Sequence, residues 1–252
     1  MTRAYVGTSG WNYKHWSNGA FYPPDVKPPD WLKFFAAHFE TVEINNSFYR
    51  LPTETAFQNW RSQVPEGFIF SVKASRFLTH IKRLKDPEGP LDLFFGRARF
   101  LKNRLGPVLF QLPPRFKVDI QRLQNFLAAL NTHNRKKNLR FVIEVRDPTW
   151  LVPPVFELLR RNRVALCFAD WRDMPVTEPV TADFVYIRRH YGRAGGGNYS
   201  RKDLNRDVDQ ILGWLSHKLG VYVYFNNDMG GHALRNARYV KKQLAKNHER
   251  NL

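Results

Sequence analysis

The sequence predicts an α/β fold, a TIM-type (β/α)8 barrel built as a single domain, on three observations. Eight short runs rich in β-branched and aromatic residues recur along the chain, and helical patterns of ten or more residues separate most of them. The 252 residues match the roughly 250 that one closed barrel uses. No GxGxxG follows the first run, as it would in an open, doubly wound dinucleotide-binding sheet. Strand alternating with helix gives a parallel sheet covered by helices, and eight such units fit closure.

The elements follow in order. The first strand is AYVGTS (4–9), bounded by Gly10. FYPPDVKPP (21–29) is a rigid proline-rich excursion, too short to join domains, ahead of a helix with Asp30 as its expected amino cap and Trp31, Phe34, Phe35 and His38 at helical spacing. TVEIN (41–45) and FIFSVKA (68–74) are the second and third strands, and PVLFQL (107–112) the fourth. Ile120, Leu123, Phe126, Leu127 and Leu130 then mark a helix before the fifth strand, RFVIEV (140–145). VALCFAD (164–170) and FVYIRR (184–189) are the sixth and seventh. A helix carrying Val208, Ile211, Leu212 and Leu215 leads to the eighth, VYVYFNN (221–227). No linker, low-complexity tract or longer repeat interrupts the series, so one domain is expected over 1–252.

Composition narrows the classes. The chain is 43% hydrophobic and 15% aromatic, enough for a sizeable core, and it has no stretch of eighteen apolar residues to span a bilayer. Its start, MTRAYVGTSGW, runs into strand-like sequence without the regions of a signal peptide, and Cys167 is the only cysteine. No intrachain disulfide can form, Cys167 reads as a small buried hydrophobe, and a cytoplasmic location without a membrane partner is expected. Lysine and arginine number 40 against 22 acids, a net charge of +18 that favours anionic partners: nucleic acid or phosphorylated metabolites.

Residues two apart in a strand share a face, so the inward set at each carboxyl end is readable. It comprises Glu43 and Asn45, Ser71 and Lys73, Gln111, Glu144 and Arg146, Asp170, Arg188 and His190, and Tyr224, Asn226 and Asp228. Barrel enzymes place their chemistry at this end, and a buried polar ring without function costs stability unless each group finds a partner. Internal ion pairs, Glu144 with Arg146 or Glu43 with Lys73, are the alternative for individual members.

Two loops add a phosphate-binding pattern. RRHYGRAGGGNYS (188–200) follows the seventh strand with Gly192, Gly195, Gly196 and Gly197 among Arg188, Arg189 and Arg193, with Arg201 just beyond. NNDMGGHA (226–233) follows the eighth and brings Gly230 and Gly231 to the start of the last helix. Turn geometry alone would also explain these glycines. Arg135, Lys136, Lys137, Arg160, Arg161 and Arg163 sit at helix carboxyl ends and suit the macrodipole. Arg76, Lys82, Arg83 and Lys85, with Lys14 and His15, fall on the upper face, where they suit a phosphate backbone. Trp11, Tyr13, Trp16, Phe48, Tyr49, Trp150, Trp171, Tyr191 and Tyr199 are upper-loop aromatics with two readings, stacking on a ligand or packing on the barrel.

On GTSGWNYKHW (7–16), FYP (21–23), TVEINNSFYRLP (41–52), FSVKASRFLTHIKRL (70–84), GPVLFQLPP (106–114), RFVIEVRDPTW (140–150), TADFVYIRRHY (181–191) and YVYFNNDMGGHALRNA (222–237), the chain resembles the YecE-like family, the domain of unknown function 72. The resemblance implies a β/α barrel and carries no assigned activity. One departure is Asp147, which stands where the family commonly has histidine.

The leading expectation is an enzyme acting on a phosphate-bearing substrate, with a nucleic acid phosphodiester included, at the carboxyl end of the barrel. Glu43, Glu144, Asp170 and Asp228 are candidate acids, bases or ligands of a divalent metal, with Lys73 and His190 to stabilise charge or move protons. Asn45, Arg76, Gln111, Arg146, Arg188, Gly196, Gly197, Tyr224, Asn226, Gly230 and Gly231 are candidate substrate contacts. HExxH and paired-cysteine spacings are absent, so no metal or other cofactor is assigned. Two alternatives stand beside it: a non-catalytic nucleic-acid-binding barrel, and a hydrolase or isomerase of a neutral sugar using Glu144 and Asp228.

Overall fold

A computed structural model of the chain describes residues 2–134, 139–171, 174–192 and 195–250; Arg135, Lys136, Lys137 and Arg193 lie outside the described residues. All eight expected runs form parallel strands: β1 (Ala4–Thr8), β2 (Thr41–Ile44), β3 (Ile69–Lys73), β4 (Leu105–Gln111), β5 (Phe141–Glu144), β6 (Val164–Trp171), β8 (Phe184–Arg189) and β9 (Gly220–Phe225). One further strand, β7 (Met174–Val176), pairs antiparallel with the end of β6, so the expected seventh and eighth strands are β8 and β9.

Helices cover the sheet: α1 (Trp31–Ala36), α2 (Asn46–Tyr49), α3 (Glu54–Ser62), α4 (Glu88–Ala98), α5 (Ile120–Asn134), α6 (Pro153–Arg161), α7 (Arg201–Ser216) and α8 (His232–Arg250). Thr53 and Ser200 cap α3 and α7, accepting from the N–H groups of Ala56 and Asp203 at 3.2 Å. Asp30 stands before α1, but its side chain bonds no helix N–H. The 3-10 turn Pro28–Asp30 already feeds the chain into α1 with Asp30 in helical conformation, so the extended cap geometry is missing. The proline-rich excursion is packing: Tyr22 is fully buried and stacks on Trp31 with ring centroids 4.7 Å apart.

Strands run in the order β1-β9-β8-β6-β5-β4-β3-β2, and the ring closes between β1 and β2 through one isolated bridge, Ser9 to Glu43. Gly7 permits this approach, since a Cβ there would lie 2.3 Å from the Thr41 carbonyl oxygen. Between sheet and helices lies a layer of aliphatic and aromatic side chains, Phe35, Phe57, Phe70, Phe110 and Phe126 among them. A second, smaller core fills the barrel itself with Leu109, Val142, Cys167, Tyr186, Tyr222 and Tyr224. Among the described residues no helix is long and apolar enough to cross a membrane.

Candidate functional site

The polar ring roofs the inner core at the carboxyl ends of the strands. Alternation along β8 turns Tyr186, Arg188 and His190 to one face, and Arg188 lies only 1% exposed at the centre. Its guanidinium spans the barrel, donating from Nη2 to Glu43 Oε1 at 2.9 Å and from Nη1 to Glu144 Oε2 at 2.7 Å. Tyr186 donates its hydroxyl to the other Glu43 oxygen at 2.6 Å. Gln111 donates to Glu144 Oε1 at 3.1 Å, and Arg146 forms a two-point contact with the same oxygen. Of the two internal pairs expected from sequence, Glu144 with Arg146 forms, whereas Glu43 takes Arg188 rather than Lys73. Burial alone would raise the Glu144 carboxyl, but Arg188 and Arg146 outweigh it and hold the group well below the usual carboxylate range.

Lys73, at the end of β3, is 9% exposed, and its ammonium makes no hydrogen bond or ion pair among the described residues; it rests 4.0 Å from the Phe48 ring centroid. Burial, then Arg188, pulls its pKa down to about 8. The Arg146 guanidinium carbon sits over the Trp171 ring, 3.8 Å from its centroid. His190 places Nε2 3.5 Å from both Arg146 Nη2 and Arg188 Nη1, with Nδ1 3.2 Å from the Asn226 amide. Burial, then Arg188, lowers its pKa to about 3, so the ring is neutral at physiological pH. His80, on a π-helical turn after β3, is also kept neutral at about 4, by burial and then by Lys73, Arg76, Arg146 and Arg83. Asn45 Oδ1 is buried at the rim with no hydrogen-bond partner among the described residues.

The remaining expected residues are placed apart from this cluster or committed elsewhere. Asp170 accepts from the His190 N–H at 2.7 Å and from the Tyr199 hydroxyl, which makes it a support for the loop after β8. Asp228 lies 3.4 Å from His15 Nε2 and does not join Glu144. Tyr224 belongs to the layer below: fully buried, it bonds Thr41 at 2.6 Å and Ser71 at 2.8 Å and is closed to substrate. Period-two reading gives the face of a residue but not its depth, and Tyr224 sits one layer too deep. Arg76 is exposed on the rim, as expected.

The glycine loops after β8 and β9 meet each other, with Asn227 donating to the Gly197 carbonyl at 3.0 Å. Gly192 is held by the fold of its own loop, since a Cβ there would lie 1.6 Å from the Asn198 carbonyl oxygen. Gly196, Gly197, Gly230 and Gly231 all adopt φ between 62° and 81°, and Arg235 donates to the Gly230 carbonyl at 2.8 Å. Of the arginines expected to charge the first loop, the three among the described residues have partners: Arg188 the glutamates, Arg189 Asp207, and Arg201 the Tyr239 ring 4.0 Å away. Lys73 and Arg76 at the end of β3 and Arg146 at the end of β5 bring positive charge to that side of the mouth.

A cavity of about 250 Å³ opens beside His190, lined by Trp171, Tyr191, Gly196, Gly197 and Asn226–Met229. A larger one of about 870 Å³ lies outside the ring, between the β6–β7 hairpin and α7, and includes Arg189, Arg206 and Asp207. Among the described residues no three His, Cys, Asp or Glu side chains gather as a metal site, and Glu43 and Glu144 already spend their oxygens on arginine, tyrosine and glutamine. That donor set does not fit a divalent metal. Of the upper-loop aromatics, Trp11, Trp16, Trp150, Phe48 and Tyr199 are buried, whereas Tyr49 and Tyr191 stand 75% and 43% exposed. His80 and Tyr186 were not expected; Tyr186 was within reach of the same alternation as Arg188, while His80 depends on a turn that periodicity does not define.

Comparison with known proteins agrees with this architecture. A relative, UPF0759 protein YunF of Bacillus subtilis (strain 168), is 25% identical over 276 residues, covering 95% of this chain and 94% of its own. UPF0759 protein YecE of Escherichia coli (strain K12) is 27% identical over 145 residues, 57% of this chain and 48% of its own. The crystal structure of a DUF72 family protein from Thermotoga maritima MSB8 superposes with a TM-score of 0.82 at 28% identity, covering 96% and 99% of the two chains. D-psicose 3-epimerase from Clostridium cellulolyticum H10 shares the fold alone, at a TM-score of 0.57 and 8% identity. A family model described as "Protein of unknown function DUF72" matches residues 5–251, and with that span the chain belongs to the DUF72 family.

Proposed function

We propose that the chain is an enzyme acting on an anionic, phosphate-bearing substrate at the carboxyl-terminal mouth of the barrel. One observation carries this reading: the buried ring holds two carboxylates, Glu43 and Glu144, against three cations, Arg146, Arg188 and Lys73. An unbalanced buried cation is costly, and an anion on the β3 to β5 side relieves it. Arg146 and Lys73 hold the anion, Arg76 attracts it from the rim, and Asn45 Oδ1 accepts from a substrate hydroxyl. Neutral His190 contributes a hydrogen-bonding ring nitrogen rather than a base, because burial and Arg188 disfavour its protonated form. Glu43 and Glu144 pair with the two terminal nitrogens of Arg188, and the three act as positioning residues. The same pairing leaves a neutral-sugar hydrolase without its two free carboxylates, since Asp228 faces His15.

The test is ligand-induced thermal stabilisation with inorganic phosphate, nucleotides and sugar phosphates. A ligand at about 100 times its Kd adds about 2.7 kcal/mol. The expected result is a shift that Arg146→Ala abolishes and Arg201→Ala keeps; no shift with any anion overturns the reading. A second reading, nucleic-acid binding without chemistry, draws on exposed Tyr49 and Tyr191 flanking a basic rim. Oligonucleotide affinity that falls steeply with salt and depends on Arg76, Lys82 and Arg83 but not on His190 favours it.

A further inference from the structure

Lys73 is the anomaly of the ring. Buried lysines are ordinarily paired, and two carboxylates stand in its neighbourhood, yet both are committed. Glu43 is held by Arg188 and Tyr186, and Glu144 by Arg188, Arg146 and Gln111. The amine is left against the Phe48 ring, which stabilises an ammonium but neither accepts its protons nor blocks its lone pair. Its backbone is fixed from outside, because Ser47 donates to the Lys73 carbonyl at 2.6 Å and ties α2 to the end of β3. A desolvated amine placed beside other cations is the arrangement that activates lysine as a nucleophile.

We propose that Lys73 forms an imine with the carbonyl carbon of an anionic aldehyde or ketone, whose phosphate or carboxylate is held by Arg146. This rests on the anion-binding reading above and adds to it the carbonyl class and a covalent step. The neutral amine donates its lone pair to the carbonyl carbon, forming a C–N bond as the C=O π pair moves onto oxygen. A proton passes from nitrogen to that oxygen, giving a carbinolamine. A second proton, from solvent, converts the hydroxyl to water, which leaves as the nitrogen lone pair closes the C=N bond. The products are a protonated imine and one water, with no change of oxidation state. Burial and Arg188 bring the pKa to about 8, so the resting side chain is mainly a cation and roughly a tenth of it is free amine at pH 7.

The experiment is reductive trapping on the full chain with sodium cyanoborohydride and three probes: glycolaldehyde phosphate, glyoxylate and neutral glycolaldehyde. Peptide mass mapping locates the label, with the surface lysines as internal standards, and inorganic phosphate is the competitor. The expected result is label on Lys73 at least about ten-fold faster than on any other lysine, faster with the anionic probes, and suppressed by phosphate. Lys73→Arg and Lys73→Met lose that label while their circular dichroism reports whether the fold is kept; the wild-type map stands even where a variant fails to fold. Phosphate stabilisation without label on Lys73 overturns the imine and leaves the anion site standing. Label on Lys73 that is indifferent to probe charge and to phosphate overturns the anionic substrate class, and evenly spread label overturns the proposal.

Discussion

Arg188 carries a structural burden out of proportion to one side chain, because both of its carboxylate partners are buried. Removing it leaves buried Glu43 without its cation and Glu144 with Arg146 alone, and Arg188→Ala should lower unfolding stability by about 3–5 kcal/mol in urea titration. Adding Glu43→Gln and Glu144→Gln should return part of that loss, which a cavity effect would not allow. His190 sets a pH dependence of definite sign. Its folded-state pKa, about 3, lies below the ordinary value of about 6.5, so its contribution is full above pH 6.5 and is lost as pH falls. Between pH 7.5 and 5 the loss should reach about 2 kcal/mol, read as the wild-type fall in stability minus that of His190→Asn, while His80 shifts in the same direction in both proteins. Period two in the sequence brought Glu43, Lys73, Gln111, Glu144 and Arg188 to one ring. It could not choose partners: the bond from Arg188 to Glu43 joins residues 145 apart, and only the geometry of closure decides that Lys73 loses the competition.

At the scale of elements, the seam between β1 and β2 is the weakest join of the barrel, with one bridge where other neighbours have ladders. Gly7→Ala places a methyl against the Thr41 carbonyl and should prise this seam, costing about 1–3 kcal/mol and raising amide exchange in β1 and β2 before other strands. The eight parallel strands were legible because each is a β-branched or aromatic run bounded by turn residues. β7 was not, since it is three residues long with Pro175 at its centre, a pattern that argues against a strand unless it lies at an edge. The glycine-rich loops were legible as loops, but their expected charge was not: Arg189 finds buried Asp207 on α7, a contact across helix and strand that no local pattern announces.

For the whole molecule, the proposed function makes the +18 charge and the barrel mouth one system: a field that would draw anions would end in a ring with three cations against two carboxylates. The order of the strands also bears on how the chain is made. β2 through β6 can pair with one another in the sequence in which they leave the ribosome, each finding its neighbour already present. β1 cannot: its ladder partner is β9, more than two hundred residues later, and the single bridge to β2 is a poor substitute. Its row of unpaired amides and carbonyls therefore waits until the last strand of the barrel has been made, which makes β1 the strand of the nascent barrel most in need of a chaperone's cover.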